Sequence, residues 1–250
     1  MPTLAAPTSQ LCTASQFLEP AYAQWCAELG QPVRFHRKQW EFVFILQALA
    51  TRGFLKPGMR GLGFGCGFEP LPDLLEDMGC AVTATDLDPK ESQARGWPGS
   101  DALSAVDMNA IPAELVDFDF LWSSCAFEHL GSIAHGLAFV ERAMTCLRPG
   151  GIAVHTTEYN LTSTTDTWEA SNLVLFRKTD IDTLFARLTA AGHHVAPLDL
   201  DSGSEPLDLA IAEPPYAADH LKLRIGAYVS TSLGLIIAAA PGQQERPVGA

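Results

Sequence analysis

Glu128 stands directly before His129, and further along the chain Glu158 and Asn160 follow His155. An imidazole titrates near pH 6.5, so it can take a proton at neutral pH, and a carboxylate nearby can orient it or hold a hydroxyl group. His129 and Glu158 are therefore the candidate catalytic residues, with Glu128 and Asn160 as candidates for holding a substrate. His155 lies inside the apolar run IAVHTTE and reads as a core histidine. A second group suits binding. The stretch GLGFGCGFEPLP, residues 61 to 72, puts glycine at 61, 63, 65 and 67 and then presents Glu69. Glycines let a backbone turn tightly and approach a ligand. Asp86 follows at close to the roughly 20-residue spacing that places an acid on ribose hydroxyls in open α/β sheets.

A third group is Arg34-Phe35-His36-Arg37-Lys38-Gln39-Trp40-Glu41, a polar and aromatic stretch in a chain poor in basic residues. Arg37 or Lys38 could neutralise an anion there, and Trp40 could wall a cleft. Two other stretches have weaker chemical readings. Glu213-Pro214-Pro215-Tyr216 is similar to the D-P-P-Y motif of adenine amino-group methylation, but it falls after the wrong strand. The pair His193-His194 has no partner at metal-ligand spacing, so no metal is expected.

The elements that must position these residues alternate. Lys38 to Ala50 reads as a buried helix. Met59 to Phe64 reads as a strand, and Leu71, Leu74, Leu75 and Met78 recur at helical spacing after it. Strands fit Ala81 to Thr85, Leu103 to Val106, Phe118 to Ser123 and Ile152 to Thr157. A helix with Ile133, Leu137, Val140, Met144 and Leu147 on one face precedes the stop Pro149-Gly150-Gly151. Thr179 with Asp182 is the expected cap of a later helix. Val195 to Leu198 and Tyr228 to Ala238 close the series, with an insertion near 199–226. The pattern predicts an α/β fold: a doubly wound, mostly parallel seven-stranded sheet with helices on both faces and an antiparallel last pair. Residues 1–57 are expected to form an arm and helix that fold over the cleft, ahead of a domain at 58–250.

Composition narrows the function. The net charge of −13 excludes a broad phosphate-binding surface, so no nucleic-acid partner is expected. No apolar run is long enough to span a bilayer, and the first residues lack a secretory pattern. The six cysteines show no C-x-x-C spacing. A soluble, cytoplasmic protein is the expectation.

Four segments in order carry a family resemblance. They are Gly63-Phe64-Gly65-Cys66-Gly67, Val82 to Asp88, Phe118 to Leu130, and Leu147-Arg148-Pro149-Gly150-Gly151. Together the chain resembles class I S-adenosylmethionine-dependent methyltransferases over roughly residues 58 to 160. The resemblance implies S-adenosylmethionine as cofactor. It places Gly63, Gly65, Cys66, Gly67, Asp86, Leu87, Asp107, Met108 and Ser124 around it, with Asp107 on the adenine amino group and Met108 against the ring. The loop departs from the family at both ends: the usual first acid is Gly63, and the last position is Glu69. Glu69 is read either as a contact to the amino-acid end of the cofactor or as a helix cap. The implied activity is methyl transfer to a small-molecule or glycan-like acceptor at oxygen. The alternatives are nitrogen as the acceptor atom, or a cofactor-binding module without catalysis. A hydrolase using Cys125 with His129 lacks a G-x-S-x-G elbow and an acid partner.

Overall fold

A computed structural model describes residues 1–90, 103–216 and 219–241. Along the chain run β1 (Ser9–Leu11), α1 (Pro20–Glu28), α2 (Arg37–Thr51), β2 (Arg60–Phe64), α3 (Leu71–Asp77), β3 (Ala81–Asp86), β4 (Ser104–Ala105) and β5 (Phe118–Ser124). There follow α4 (Ile133–Ala143), β6 (Leu147–Asn160), a hairpin of β7 (Glu169–Ala170) and β8 (Leu173–Val174), α5 (Lys178–Ala190), β9 (His194–Val195) and β10 (Leu198–Asp199). Last come α6 (Pro206–Leu209), β11 (Ile211–Ala212), β12 (Lys222–Ile225) and β13 (Tyr228–Ala238).

The sheet order β4-β3-β2-β5-β6 is parallel throughout, and β13 lies antiparallel against β6. The order turns back at β2 and β5, which leaves a crevice beyond the carboxyl ends of these strands. Alternate residues of β5 face opposite ways. Phe120 and Trp122 pack with Trp40, Phe44 and Leu75 under α1, α2 and α3. Leu121 packs with Phe64, Phe139 and Leu184 under α4 and α5.

The outer edge of β13 departs from the sequence expectation. Three short strands lie end to end along it: β12 against Tyr228 to Thr231, β1 against Leu233 and Gly234, and β9 against Ile237 and Ala238. The expected strand over Val195 to Leu198 is broken at Pro197, which has no N–H to give to a ladder. Its carbonyl instead accepts from Ser9 N at 3.1 Å, and β1 enters beside it. The arm at the start of the chain is thus built into the sheet. The cap of α5 also lies two residues earlier than expected. Arg177 N donates to Asp180 Oδ2 at 2.8 Å, while the Thr179 hydroxyl donates to the Thr164 carbonyl. Phe176 bridges to Tyr159 and sets that earlier entry.

Candidate active site

The four glycines of the 61–67 stretch split into two pairs. On β2, a Cβ at Gly61 would come within 2.5 Å of the Phe120 ring, and one at Gly63 within 2.4 Å of both Trp122 and the Cys66 sulfur. These two are bare because aromatics of β5 fill their space. Gly63 is therefore a packing position, a correction to its placement at the cofactor. Gly65 and Gly67 follow the strand with φ of +64° and +45°, a region costly for other residues. A side chain at Gly65 would meet Ala126 at 2.7 Å and Met108 at 3.5 Å.

Asp86 ends β3 and accepts from Gly67 N at 2.8 Å, so the acid and the turn are locked together. Its other oxygen accepts from Asp88 N at 3.3 Å. Cys66 N donates to the Thr85 carbonyl at 2.9 Å and anchors the loop to β3. Asp107 is exposed and accepts from Asn109 N at 2.7 Å, while Met108 is buried beneath Gly65. Leu87 is 71% exposed beside Asp86. The loop thus touches Asp86 and Met108, and Asp107 adjoins Met108 in the chain.

Glu69 turns inward. It is buried and accepts from the Trp122 indole N–H at 2.5 Å. Burial pushes its carboxyl up to about 8, against the bonds from Trp122 and Cys66 that pull it down. Neither expectation for Glu69 describes this. Pro70, not Glu69, precedes α3, and the carboxyl braces β5 from beneath the loop.

Beyond the ends of β5 and β6 sits a charged cluster that the sequence only hinted at. Arg37 Nη2 contacts Glu158 Oε1 at 2.6 Å, and Arg37 Nη1 contacts Glu41 Oε1 at 3.3 Å. The Ser230 hydroxyl donates to Glu158 Oε2 at 2.6 Å, and Ser232 donates to Glu41. Ser124 and Lys38 both reach Glu41 Oε2 at 3.3 Å. Burial works against the Glu158 charge, but Arg37 and Lys38 outweigh it and hold the carboxyl below its ordinary value. Glu128 differs: burial pushes it up, its Oε2 accepts from Thr157 at 3.1 Å, and its Oε1 has no partner. Donor atoms of Cys125, Glu128 and Glu158 lie within 4.8 Å of one another. Cys125 follows β5 at φ +45°, a strained conformation for a residue with a side chain. Burial raises its thiol well above the ordinary value, so it is a poor nucleophile.

Lys38 opens outward from this cluster. Its side chain is 42% accessible and lines a cleft of about 400 Å³ with Gln31, Arg34, His36, Gln39 and Phe42. Lys38 was offered as a neutralising cation, while Glu41, Ser230 and Ser232 were missed as site residues. Their signal was the helical spacing of residues 37, 38 and 41 and the alternation of serines on β13, which puts both on one face.

Several expected site residues have partners of their own. Trp40 is fully buried, stacks on Phe44 and gives its indole N–H to Gln16 at 2.9 Å, so it belongs to the core and walls no cleft. Asn160 is buried and holds the 161–167 loop by accepting from Thr162 N and Ser163 N and donating to the Asp166 carbonyl. His129 is exposed, with Nδ1 at 2.6 Å from the Asn172 carbonyl. A carbonyl only accepts, so Nδ1 carries the proton and pins the loop. Arg37 is committed to Glu41 and Glu158, and Glu158 has both oxygens engaged. His155 is buried at 2.8 Å from the Ser123 hydroxyl, and burial holds it down at about 3.

A family model described as a methyltransferase domain matches residues 62–155. A malonyl-(acyl-carrier protein) O-methyltransferase of Enterobacter lignolyticus is 34% identical over 99 residues, 39% of this chain. The chain spans only 38% of that relative's length. A solved S-adenosylmethionine-dependent methyltransferase from Mesorhizobium loti shares the fold at 16% identity and a TM-score of 0.50, over 76% of this chain and 95% of that one. The cyclase SpnF shares it at 17% identity and a TM-score of 0.55, over 94% and 98%. No helix among the described residues is long and apolar enough to cross a membrane. With its glycine turn locked to Asp86 at the head of a parallel sheet, the segment 62–155 matches the methyltransferase-domain family, and the chain shares the fold of S-adenosylmethionine-dependent methyltransferases.

Proposed function

We propose that the chain is an S-adenosylmethionine-dependent methyltransferase acting on an oxygen of a small-molecule or carrier-linked acceptor. The observation that carries this is the Gly67–Asp86 bond, which fixes a free-sided carboxylate beside the bare Gly65. The residues fit the cofactor. Asp86 keeps lone pairs for vicinal hydroxyls, and Asp107 and Met108 suit a purine. When bound there, S-adenosylmethionine supplies a methyl group on a positively charged sulfur. The chain's own residues bind and orient. Asp86 and the turn hold one end, and the cluster at Lys38, Glu41 and Ser124 faces the acceptor side. The relative's name, an O-methyltransferase of a malonyl group on a carrier protein, supports an oxygen acceptor.

Calorimetric titration with S-adenosylmethionine tests the reading. Asp86→Ala should weaken binding by roughly 1.5–3 kcal/mol, the worth of charge-assisted hydrogen bonds. Isotopic methyl transfer into a base-labile product should follow. The SpnF likeness shows that this fold also occurs in a protein named a cyclase, so tight binding without methyl transfer to any acceptor would remove the transferase reading.

A further inference from the structure

The turn after β5 and the end of β6 bring together three side chains of types that metal ions favour. The Cys125 sulfur, one oxygen of Glu128 and one oxygen of Glu158 lie within 4.8 Å of one another, and all three residues are buried. Among the described residues no other group of His, Cys, Asp and Glu gathers three such atoms. Glu128 Oε1 is buried there without a hydrogen-bond partner, and a buried oxygen in that condition calls for an electropositive neighbour. The backbone is also bent to bring the sulfur in. Cys125 sits at φ +45°, held by its N–H, which donates to the Thr156 carbonyl at 3.0 Å and to the Thr156 hydroxyl at 3.1 Å. Strain of this kind persists only where the surroundings impose it, and it gathers at functional sites.

Donors already brace both carboxylates. The Thr157 hydroxyl donates to Glu128 Oε2 at 3.1 Å, which leaves Oε1 for a ligand bond. Ser230 donates to Glu158 Oε2 and Arg37 contacts Oε1, both at 2.6 Å. Each carboxylate oxygen has two lone pairs, so Glu158 can keep both donors and accept a cation as well. Carboxylates that ligate metal ions are oriented by hydrogen bonds in this way. The charges allow a divalent ion. Burial raises the Cys125 thiol and the Glu128 carboxyl and favours their neutral forms. Arg37 and Lys38 then balance Glu41 and Glu158. One divalent cation that displaces the protons of Cys125 and Glu128 leaves that balance unchanged.

We propose that Cys125, Glu128 and Glu158 form a binding site for a divalent cation of the zinc class, with three protein ligands and a fourth position for a small oxygen or nitrogen ligand. A thiolate selects zinc or cobalt over magnesium and calcium, which prefer oxygen alone. The sulfur and the Glu128 oxygen each bond to the ion with the electron pair that held a proton, and both protons leave to water. Ligand atoms about 2.0–2.3 Å from a tetrahedral ion stand about 3.5 Å apart, so the three atoms close on it with movements of about 1 Å. Lys38, 42% accessible, connects the cluster to the outer cleft. The site goes beyond the methyltransferase reading and does not depend on it.

The test titrates the full, untagged chain with cobalt(II) chloride in the absence of S-adenosylmethionine. One equivalent should bind, with a near-ultraviolet thiolate-to-cobalt band and the visible bands of a four-coordinate ion. Zinc chloride should displace the cobalt, and magnesium chloride should not. Cys125→Ser should abolish the near-ultraviolet band, and Cys146→Ser, at a buried cysteine outside the cluster, should keep it. Thr157→Val, which removes only the donor behind Glu128, should weaken binding about 10–100-fold, and Glu128→Gln by at least as much. X-ray absorption of the wild-type zinc form needs no variant to fold. It should show one sulfur at about 2.3 Å and oxygens at about 2.0–2.2 Å. The proposal is overturned if the wild type gives no saturable thiolate band, if more than one sulfur surrounds the ion, or if the band survives Cys125→Ser. Cobalt binding by Glu128→Gln that equals the wild type, or displacement by magnesium, would overturn it as well.

Discussion

At the scale of single residues, Glu69 makes a testable claim about pH. Its folded value of about 8 lies above the ordinary 4.5 because burial disfavours the carboxylate. Between those values the unfolded chain gives up a proton that the native chain keeps. The native state therefore binds more protons, and stability falls as pH rises through that window. Glu69→Gln should keep the bond from Trp122 and lose the fall. Urea midpoints measured at both ends of the window check this, and parallel losses in both proteins would remove Glu69 as the cause. His129 makes a different claim. Nδ1 gives its proton to Asn172 and Nε2 keeps its lone pair, so if His129 only pins the loop, His129→Ala should keep most of kcat and leave the pH–rate curve unchanged. A loss of 10²–10⁴-fold, roughly the range for removing a general base, together with loss of the acid limb, would reinstate it as the base.

At the scale of elements, α2 holds the acceptor side together. Its first turn supplies Arg37, Lys38 and Glu41, and β13 supplies the two serines that complete them. Arg37→Met keeps much of the side-chain bulk and leaves the buried Glu158 carboxylate without its contacting cation. It should cost about 3–5 kcal/mol of stability, measured by chemical denaturation, because an uncompensated buried charge is expensive. A loss below 1 kcal/mol would mean that water reaches the cluster. The parallel strands, the turn after β2 and Asp86 were legible in sequence because each is local. Apolar period, glycine and a strand-ending acid lie within a few residues of one another. The acceptor side was not legible, because it assembles from residues 37–41, 124–128, 158 and 230–232, which no short window contains. Gly63 misled for a related reason. The residue that requires it is Trp122, two strands' worth of chain away. His129 and Trp40 were the right types for a site, but their partners, Asn172 and Gln16, are distant in sequence and could not be seen there.

At the scale of the molecule, a net charge of −13 surrounds a cleft that holds Arg34 and Lys38. An anionic acceptor is repelled at a distance and held only at close range. Raising salt shortens the Debye length from about 30 Å at 0.01 M to about 8 Å at 0.15 M, which hides the distant repulsion before the near contact. For such an acceptor kcat/KM should rise with salt over that range, and for a neutral one it should stay level. Steady-state rates at both salt levels check this, and a fall for the anion would mean that the cleft's own field dominates. The patched edge of β13 has a consequence for the order of events during synthesis. Gln10 pairs with Gly234 on one side and Asp199 on the other, so one of the earliest strands made waits for two of the latest. Until then β6, whose residues Ile152 to Asn160 later meet β13, presents an open ladder to any passing chain. The half-made protein is thus most exposed to mispairing just before completion, and a ribosome stalled ahead of residue 228 would hold a sheet that can find its missing edge only in a neighbour.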